Sequence, residues 1–229
     1  MAKKRATTDY SFVVGIDKPL GMTSHDVVSA CRRIYGERRI GHTGTLDPAA
    51  SGVLVVCVGP ATRLDRFMSG HDKTYEFSIV FGAATDTDDA QGEVIQTMDV
   101  PAQVADPVFA AEYIEGLVGD HMQVPPAYSA IKVKGKRSYA AARAGNAPKL
   151  EARPIRISSA ELLNCSTDAS SAITWHVRMG VSGGTYVRSI ARDVGVQLGT
   201  CAHVGDLRRI TAGSVSIDQC VSLEQLETQ

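Results

Sequence analysis

Gly41-His42-Thr43-Gly44-Thr45-Leu46-Asp47-Pro48 runs almost directly into Val53-Leu54-Val55-Val56-Cys57-Val58. Two glycines close together allow unusual backbone angles and close approach of the chain to a ligand. Asp47 precedes a proline, which disfavours helix at Asp47 and biases it toward extended backbone. The apolar run behind it reads as a buried strand. The pair predicts a carboxylate on a stiff loop braced by a core strand, a common way to build a site. By itself the loop also has the composition of an ordinary Asx-type turn, so the decision rests on the rest of the chain.

Upstream, Phe12-Val13-Val14 is a short strand candidate within residues 11–17, and Lys18-Pro19-Leu20-Gly21 makes a turn. Ser24 is expected to cap a helix with Val27, Val28, Cys31, Ile34 and Tyr35 on one face, closed by Gly36. Residues 1–10 read as a loose arm. Downstream, Gly59-Pro60 is a turn and residues 61–68 a short helix. Residues 73–81 alternate, with Tyr75, Phe77, Ile79 and Phe81 on one face. A polar loop (82–92), a strand (93–97) and an amphipathic helix (107–117) follow. Residues 120–152 read as an exposed basic excursion, with a hairpin over 128–137 and a helix over 138–144. Strands are expected at 155–165 and 172–179, a glycine-led loop at 183–188, a helix at 189–198, extended chain at 204–210 and 214–217, and the start of a helix at 222–227. Strands outnumber helices, which predicts an α+β fold: a mixed, mostly antiparallel central sheet flanked by helices and loops. Residues 11–229 are expected to form one domain carrying the excursion.

Composition narrows the class. With 44% hydrophobic and 21% charged residues over 229 positions, the chain suits a soluble globular protein. Cys31, Cys57, Cys165, Cys201 and Cys220 are scattered and odd in number, so neither a zinc site nor a disulfide framework is expected. The cytoplasm is the expected compartment. No apolar run has membrane-spanning length, and the basic start Met1-Ala2-Lys3-Lys4-Arg5 leads into no signal-like stretch. The net charge of −1 does not announce a nucleic-acid binder. Its distribution says more: Arg32, Arg33, Arg38 and Arg39 lead up to Gly41, Lys132, Lys134, Lys136, Arg137 and Arg143 form a second run, and Arg208-Arg209 a third. Segregated charge can give a locally positive face, although any one run also reads as solvated surface. Phosphate-binding glycine loops, HExxH and GxSxG are missing. Asp86-Thr87-Asp88-Asp89 can be read as a metal–diphosphate motif of a glycosyl-transferring enzyme, or as a solvated acidic loop.

Residues 39–54 resemble the catalytic motif of the TruB family of tRNA pseudouridine synthases. So do residues 17–24, Lys73-Thr74-Tyr75, residues 126–132 with Gly135-Lys136, residues 183–189 and residues 203–209. The matches keep the family's order over roughly residues 12–217. The resemblance implies the pseudouridine synthase fold and the isomerisation of uridine 55 in the tRNA T loop. No cofactor and no metal are expected, in keeping with the missing motifs.

The resemblance also implies roles. Asp47 matches the catalytic aspartate, and Arg188 the residue that pairs with it. Such a pairing would keep the carboxylate ionised. Tyr75 matches a ring that packs on the target base, and Tyr186 and Leu207 further walls of the uridine pocket. His42 matches the residue that fills the space of the flipped base. Lys132, Lys134, Lys136 and Arg137 lie in what resembles an RNA-clasping insertion. Taken singly, Arg188 reads as a helix-start surface residue and the tyrosines and Leu207 as core. Lys18 and Pro19 match a supporting loop, with no catalytic role expected. The implied partner is the tRNA T stem-loop, bound by a monomer needing no protein partner. Bacterial members usually continue into a small C-terminal RNA-binding domain of PUA type, which is expected to be absent here, with weaker tRNA affinity as the consequence. A binding module with the fold but not the reaction is the other alternative. Asp47, Tyr75 and Arg188 together argue against it, since a pure binder needs none of them.

Overall fold

The computed structural model describes residues 10–129, 132–133, 136–137, 150–168 and 172–228. Its elements in chain order are β1 (Phe12–Lys18), α1 (Ser24–Tyr35), β2 (Ile40–His42), β3 (Ala50–Val58), α2 (Asp65–Met68), β4 (Lys73–Phe81), β5 (Ala83–Thr85), β6 (Val94–Thr97), α3 (Pro107–Glu115), β7 (Gly119–Gln123), β8 (Lys132–Val133), β9 (Lys136–Arg137), β10 (Arg153–Thr167), β11 (Ile173–Val181), α4 (Val187–Gln197), β12 (Ala202–Ala212), β13 (Val215–Ser216) and α5 (Leu223–Glu227). They fall into two compact units, Met1–Tyr75 with Arg208–Gln229, and Glu76–Leu207. Strands β4 and β12 each belong partly to one and partly to the other.

In the first unit the centre is β3. Antiparallel β1 lies along one edge, from Phe12 opposite Val58 to Lys18 opposite Gly52. Along the other, β2 pairs with its second half and β12 is its neighbour. Every residue from Val53 to Val58 is buried, which explains the unbroken apolar run: a strand covered on both faces has no solvent side to mark with polar residues. Leu54, Val56 and Val58 join Ile16, Val27, Val28, Cys31, Ile40 and Leu226 in one core. Helix α1 begins one residue earlier than expected. Thr23 is the cap, its hydroxyl accepting from the Asp26 N–H at 3.0 Å while the Asp26 carboxylate accepts from the Thr23 N–H at 2.8 Å. That reciprocal pair needs an acceptor side chain three residues after the cap, which Asp26 supplies to Thr23. Gly36 ends the helix in the left-handed conformation, as expected. The helix expected over 61–68 is a 3-10 turn, Gly59–Leu64, followed by α2.

In the second unit the strand order is β12-β4-β11-β10-β7. Phe77, Ile79 and Phe81 of β4 are buried as their alternation predicts. Phe81 meets the fully buried Trp175 edge-on with ring centroids 4.8 Å apart, and the Trp175 indole N–H donates to the Val104 carbonyl at 2.8 Å. Strand β7 corrects the expected start of the basic excursion: Gly119–Gln123 pairs antiparallel with Arg153–Ile157 of β10. Gly-Asp-His-Met-Gln has no apolar alternation, so only its partner strand reveals it. The polar loop 82–92 is partly ordered too, because β5 pairs with β6. Strands β8 and β9 form the hairpin expected within 128–137. The helix expected at 138–144 and most of the N-terminal arm lie outside the described residues. Tyr10, the last residue of that arm, packs against the rings of Phe12 and Tyr35.

Candidate active site

The loop from Thr43 to Pro48 is held at almost every residue. The Thr43 N–H donates to the Val55 carbonyl at 3.0 Å, and the Pro48 carbonyl accepts from the Gly21 N–H at 2.8 Å. The Ser24 hydroxyl, freed from capping, donates to the Leu46 carbonyl at 2.9 Å and accepts from the Leu46 N–H at 2.8 Å. One buried side chain thus satisfies both backbone groups of the residue before Asp47. The Asp47 carbonyl accepts from the Ala50 N–H at 3.0 Å. The half-buried Asp47 side chain therefore projects from a backbone with little freedom, which is what a reacting group requires.

Three buried cations belong to the same unit. Arg209 on β12 donates through Nε to the Val53 carbonyl at 2.6 Å and through a terminal nitrogen to the Gly44 carbonyl at 3.2 Å. Its other terminal nitrogen makes longer contacts, 3.5 Å each, to the Thr45 carbonyl and the Tyr75 hydroxyl. Lys18 is fully buried and donates to the carbonyls of Pro19 (2.8 Å) and Met22 (2.7 Å). Burial pushes its ammonium below the usual lysine range, and the Asp47 carboxylate opposes that shift. Lys73 donates to the carbonyls of Ser69 (3.1 Å) and His71 (2.6 Å), and its value is lowered by burial and then by the Arg209 charge. Tyr75 follows at 7% exposed. His42 ends β2 half-buried, and among the described residues its buried Nδ1 has no hydrogen-bond partner. Burial, then the Arg209 charge, lowers its pKa, so the ring is neutral at pH 7.

Tyr186, Arg188 and Leu207 lie in the second unit. Gln123, at the end of β7 and 3% exposed, takes the Tyr186 N–H at 2.9 Å and gives its own amide N–H to the Tyr186 carbonyl at 3.1 Å. That two-point clasp fixes the entry of α4. Arg188, the second residue of α4 and 7% exposed, donates to the carbonyls of Thr87 (2.9 Å) and Tyr128 (3.0 Å) and lies 3.6 Å from the Asp89 carboxylate. Arg188 is thus a buried, hydrogen-bonded cation, not the surface residue its sequence position suggests. Leu207 is half-buried on β12.

The acidic loop has a structural use. Asp88 pairs with Arg192 at 3.1 Å, Asp86 accepts from the Glu93 N–H at 2.9 Å, and Asp89 accepts from the Thr87 hydroxyl at 2.7 Å and the Gln91 N–H at 3.0 Å. Carboxylates committed to arginines and backbone are poorly placed to share a cation. Among the described residues no group of three or more His, Cys, Asp and Glu is arranged to hold a metal ion. The reading of Asp86 and Asp88 as a metal–diphosphate site is therefore not supported. Activity is expected to be unchanged by EDTA; a loss on chelation that a divalent ion restores would show otherwise.

Among the described residues no helix is long and apolar enough to cross a membrane. The profile of the TruB family pseudouridylate synthase N-terminal domain matches residues 32–187. The chain belongs to the TruB family. A second profile, the tRNA pseudouridylate synthase B C-terminal domain, matches residues 188–229. The tRNA pseudouridine synthase B of Mycobacteroides abscessus is 45% identical over 214 residues, covering 93% of this chain and 71% of that protein. The protein of the same name from Mycobacterium tuberculosis is 46% identical over 214 residues, with the same two shares. Among solved structures, a chain of a Cbf5-Nop10-Gar1 complex superposes with a TM-score of 0.68 at 28% identity. The superposition takes in 94% of this chain, which spans only 53% of the solved one. The expected family, its enzyme class and the α+β pseudouridine synthase fold are borne out.

Proposed function

We propose that this TruB-family chain isomerises uridine 55 in the T loop of tRNA to pseudouridine. In this reaction the N1–C1′ bond breaks, the base turns, and a C5–C1′ bond forms while C5 loses its proton and N1 gains one. The observation that supports the reading best is the Asp47 loop, fixed by Ser24, Gly21 and Arg209 beside Tyr75 in a chain that carries the family's motifs. Asp47 supplies the carboxylate, as nucleophile toward the ribose or the base. The Tyr75 ring packs on the uracil, and the neutral His42 ring takes the space the flipped base leaves. Flipping has an unstacking cost of a few kcal/mol, which such replacement contacts offset.

Tyr186, Leu207 and Arg188 keep the pocket and pairing roles that the resemblance implies. Lys132, Lys134, Lys136 and Arg137 are proposed to meet RNA phosphates, positioning the T stem-loop without reading its bases. Lys134 and the side chains of the other three lie outside the described residues. The reaction is internally balanced and asks for no cofactor. A cytoplasmic monomer acting without a protein partner completes the reading. T-stem-loop RNA tritiated at C5 of its uridines tests it: the protein is expected to release tritium into water as the C5–C1′ bond forms. RNA that binds without releasing tritium would favour the binding-module alternative.

A further inference from the structure

We propose that Arg209 is a positioning residue for this reaction, holding the Asp47 loop and the Tyr75 hydroxyl to one strand so that carboxylate and ring keep a fixed separation. The inference rests on the proposed isomerisation.

Arg209 is 1% exposed. A buried guanidinium is tolerated where its donors are satisfied, and here they fan out to three segments of chain. Nε holds β3 at the Val53 carbonyl, 2.6 Å away. One terminal nitrogen holds the loop at Gly44, 3.2 Å away, and the other lies 3.5 Å from both the Thr45 carbonyl and the Tyr75 hydroxyl. Thr45 is two residues from Asp47. The guanidinium carbon also lies 6.0 Å from the centre of the Tyr75 ring. Only a planar fork spans these oxygens together; an ammonium concentrates its three donors at one point. The neighbouring Arg208 shows the contrast. It pairs bidentately with Asp17, at 2.8 and 3.2 Å, and is more than a third exposed in its side chain. Successive residues on a strand face opposite ways, so the two arginines do different work.

A residue that merely filled the core would affect folding and RNA binding together. A positioning residue affects the chemical step, because small displacements of reacting groups are costly in rate. In the full chain, Arg209→Lys is expected to lower kcat on T-stem-loop RNA by about ten-fold or more. The RNA Kd is expected to stay within about two-fold and the melting midpoint within a few degrees, since the buried charge and stem are retained. Should that variant not be recovered folded, Arg209→Gln, with planar donors but no charge, is expected to show the same loss in kcat with the RNA Kd within about two-fold, whatever its melting midpoint. Combined with Tyr75→Phe, which removes the hydroxyl, the losses are expected to multiply to less than their product, as for groups acting through one contact.

A kcat within two-fold of wild type, or kcat and Kd worsening in parallel with melting, would overturn the inference, as would fully multiplicative losses in the double variant. Wild type assayed alongside separates two failures. An inactive wild type removes the proposed reaction and the inference with it. An active wild type matched by Arg209→Lys removes the inference alone.

Discussion

Asp47→Asn is expected to reduce pseudouridine formation to background while RNA binding stays close to wild type. The substitution is nearly isosteric and removes the charge. None of the loop contacts described above depends on the Asp47 carboxylate: they run through backbone groups, the Ser24 hydroxyl and the Arg209 fork. The loop is therefore expected to persist with a neutral amide where the proposed reaction needs an ionised oxygen. Single-turnover kinetics with excess enzyme, set beside a binding titration on the same RNA, separates the two quantities. Turnover near the wild-type rate would remove Asp47 from the chemistry. Loss of binding in parallel with turnover would mean that the carboxylate supports the RNA surface.

The second large effect is on stability. Gly52→Ala is expected to destabilise the protein by about 4 kcal/mol, combining left-handed backbone strain with overpacking. Gly52 has φ +100°, a region that side chains avoid. A Cβ there would stand 2.8 Å from the Arg209 nitrogen and closer still to its carbonyl oxygen, both backbone atoms. Glycine is thus what lets β12 lie against β3 closely enough for Arg209 to reach Val53. At about 2–4 °C per kcal/mol for a chain of this size, the melting midpoint should fall by roughly 8–16 °C. An unchanged midpoint would mean that the strand pair relaxes without strain. A stable variant with slowed turnover would instead place the whole effect on Arg209.

What the sequence disclosed depended on whether a residue's surroundings are local. The glycine–aspartate–proline loop, the apolar run of β3, the alternation of β4 and the periodicity of α1 are patterns over neighbouring residues, and all four were legible. Ser24 reads as a cap in the sequence because serine before an apolar helix usually is one. Only the fold brings Leu46 to its hydroxyl, across 22 residues. Arg208-Arg209 looked like one basic surface run. The clue that was available is that both stand in an extended segment, where alternation sends one side chain inward. Arg188 stands out only through the family resemblance; its burial and its contacts with Tyr128 and Thr87 depend on segments 60 and 101 residues away. Gln123 gave no signal, because a polar strand is defined by its partner and not by its own composition. The acidic loop reads two ways for the opposite reason: its spacing resembles a metal motif as well as a solvated turn, while the arginine that pairs with Asp88 lies on α4.

The most direct test of the account is to map pseudouridine, residue by residue, in unmodified tRNA incubated with the purified protein. The account predicts a new pseudouridine at position 55 of the T loop, formed without added cofactor and absent with Asp47→Asn. Pseudouridine formed at another position, or tRNA left unmodified by wild-type protein that binds it, would contradict it.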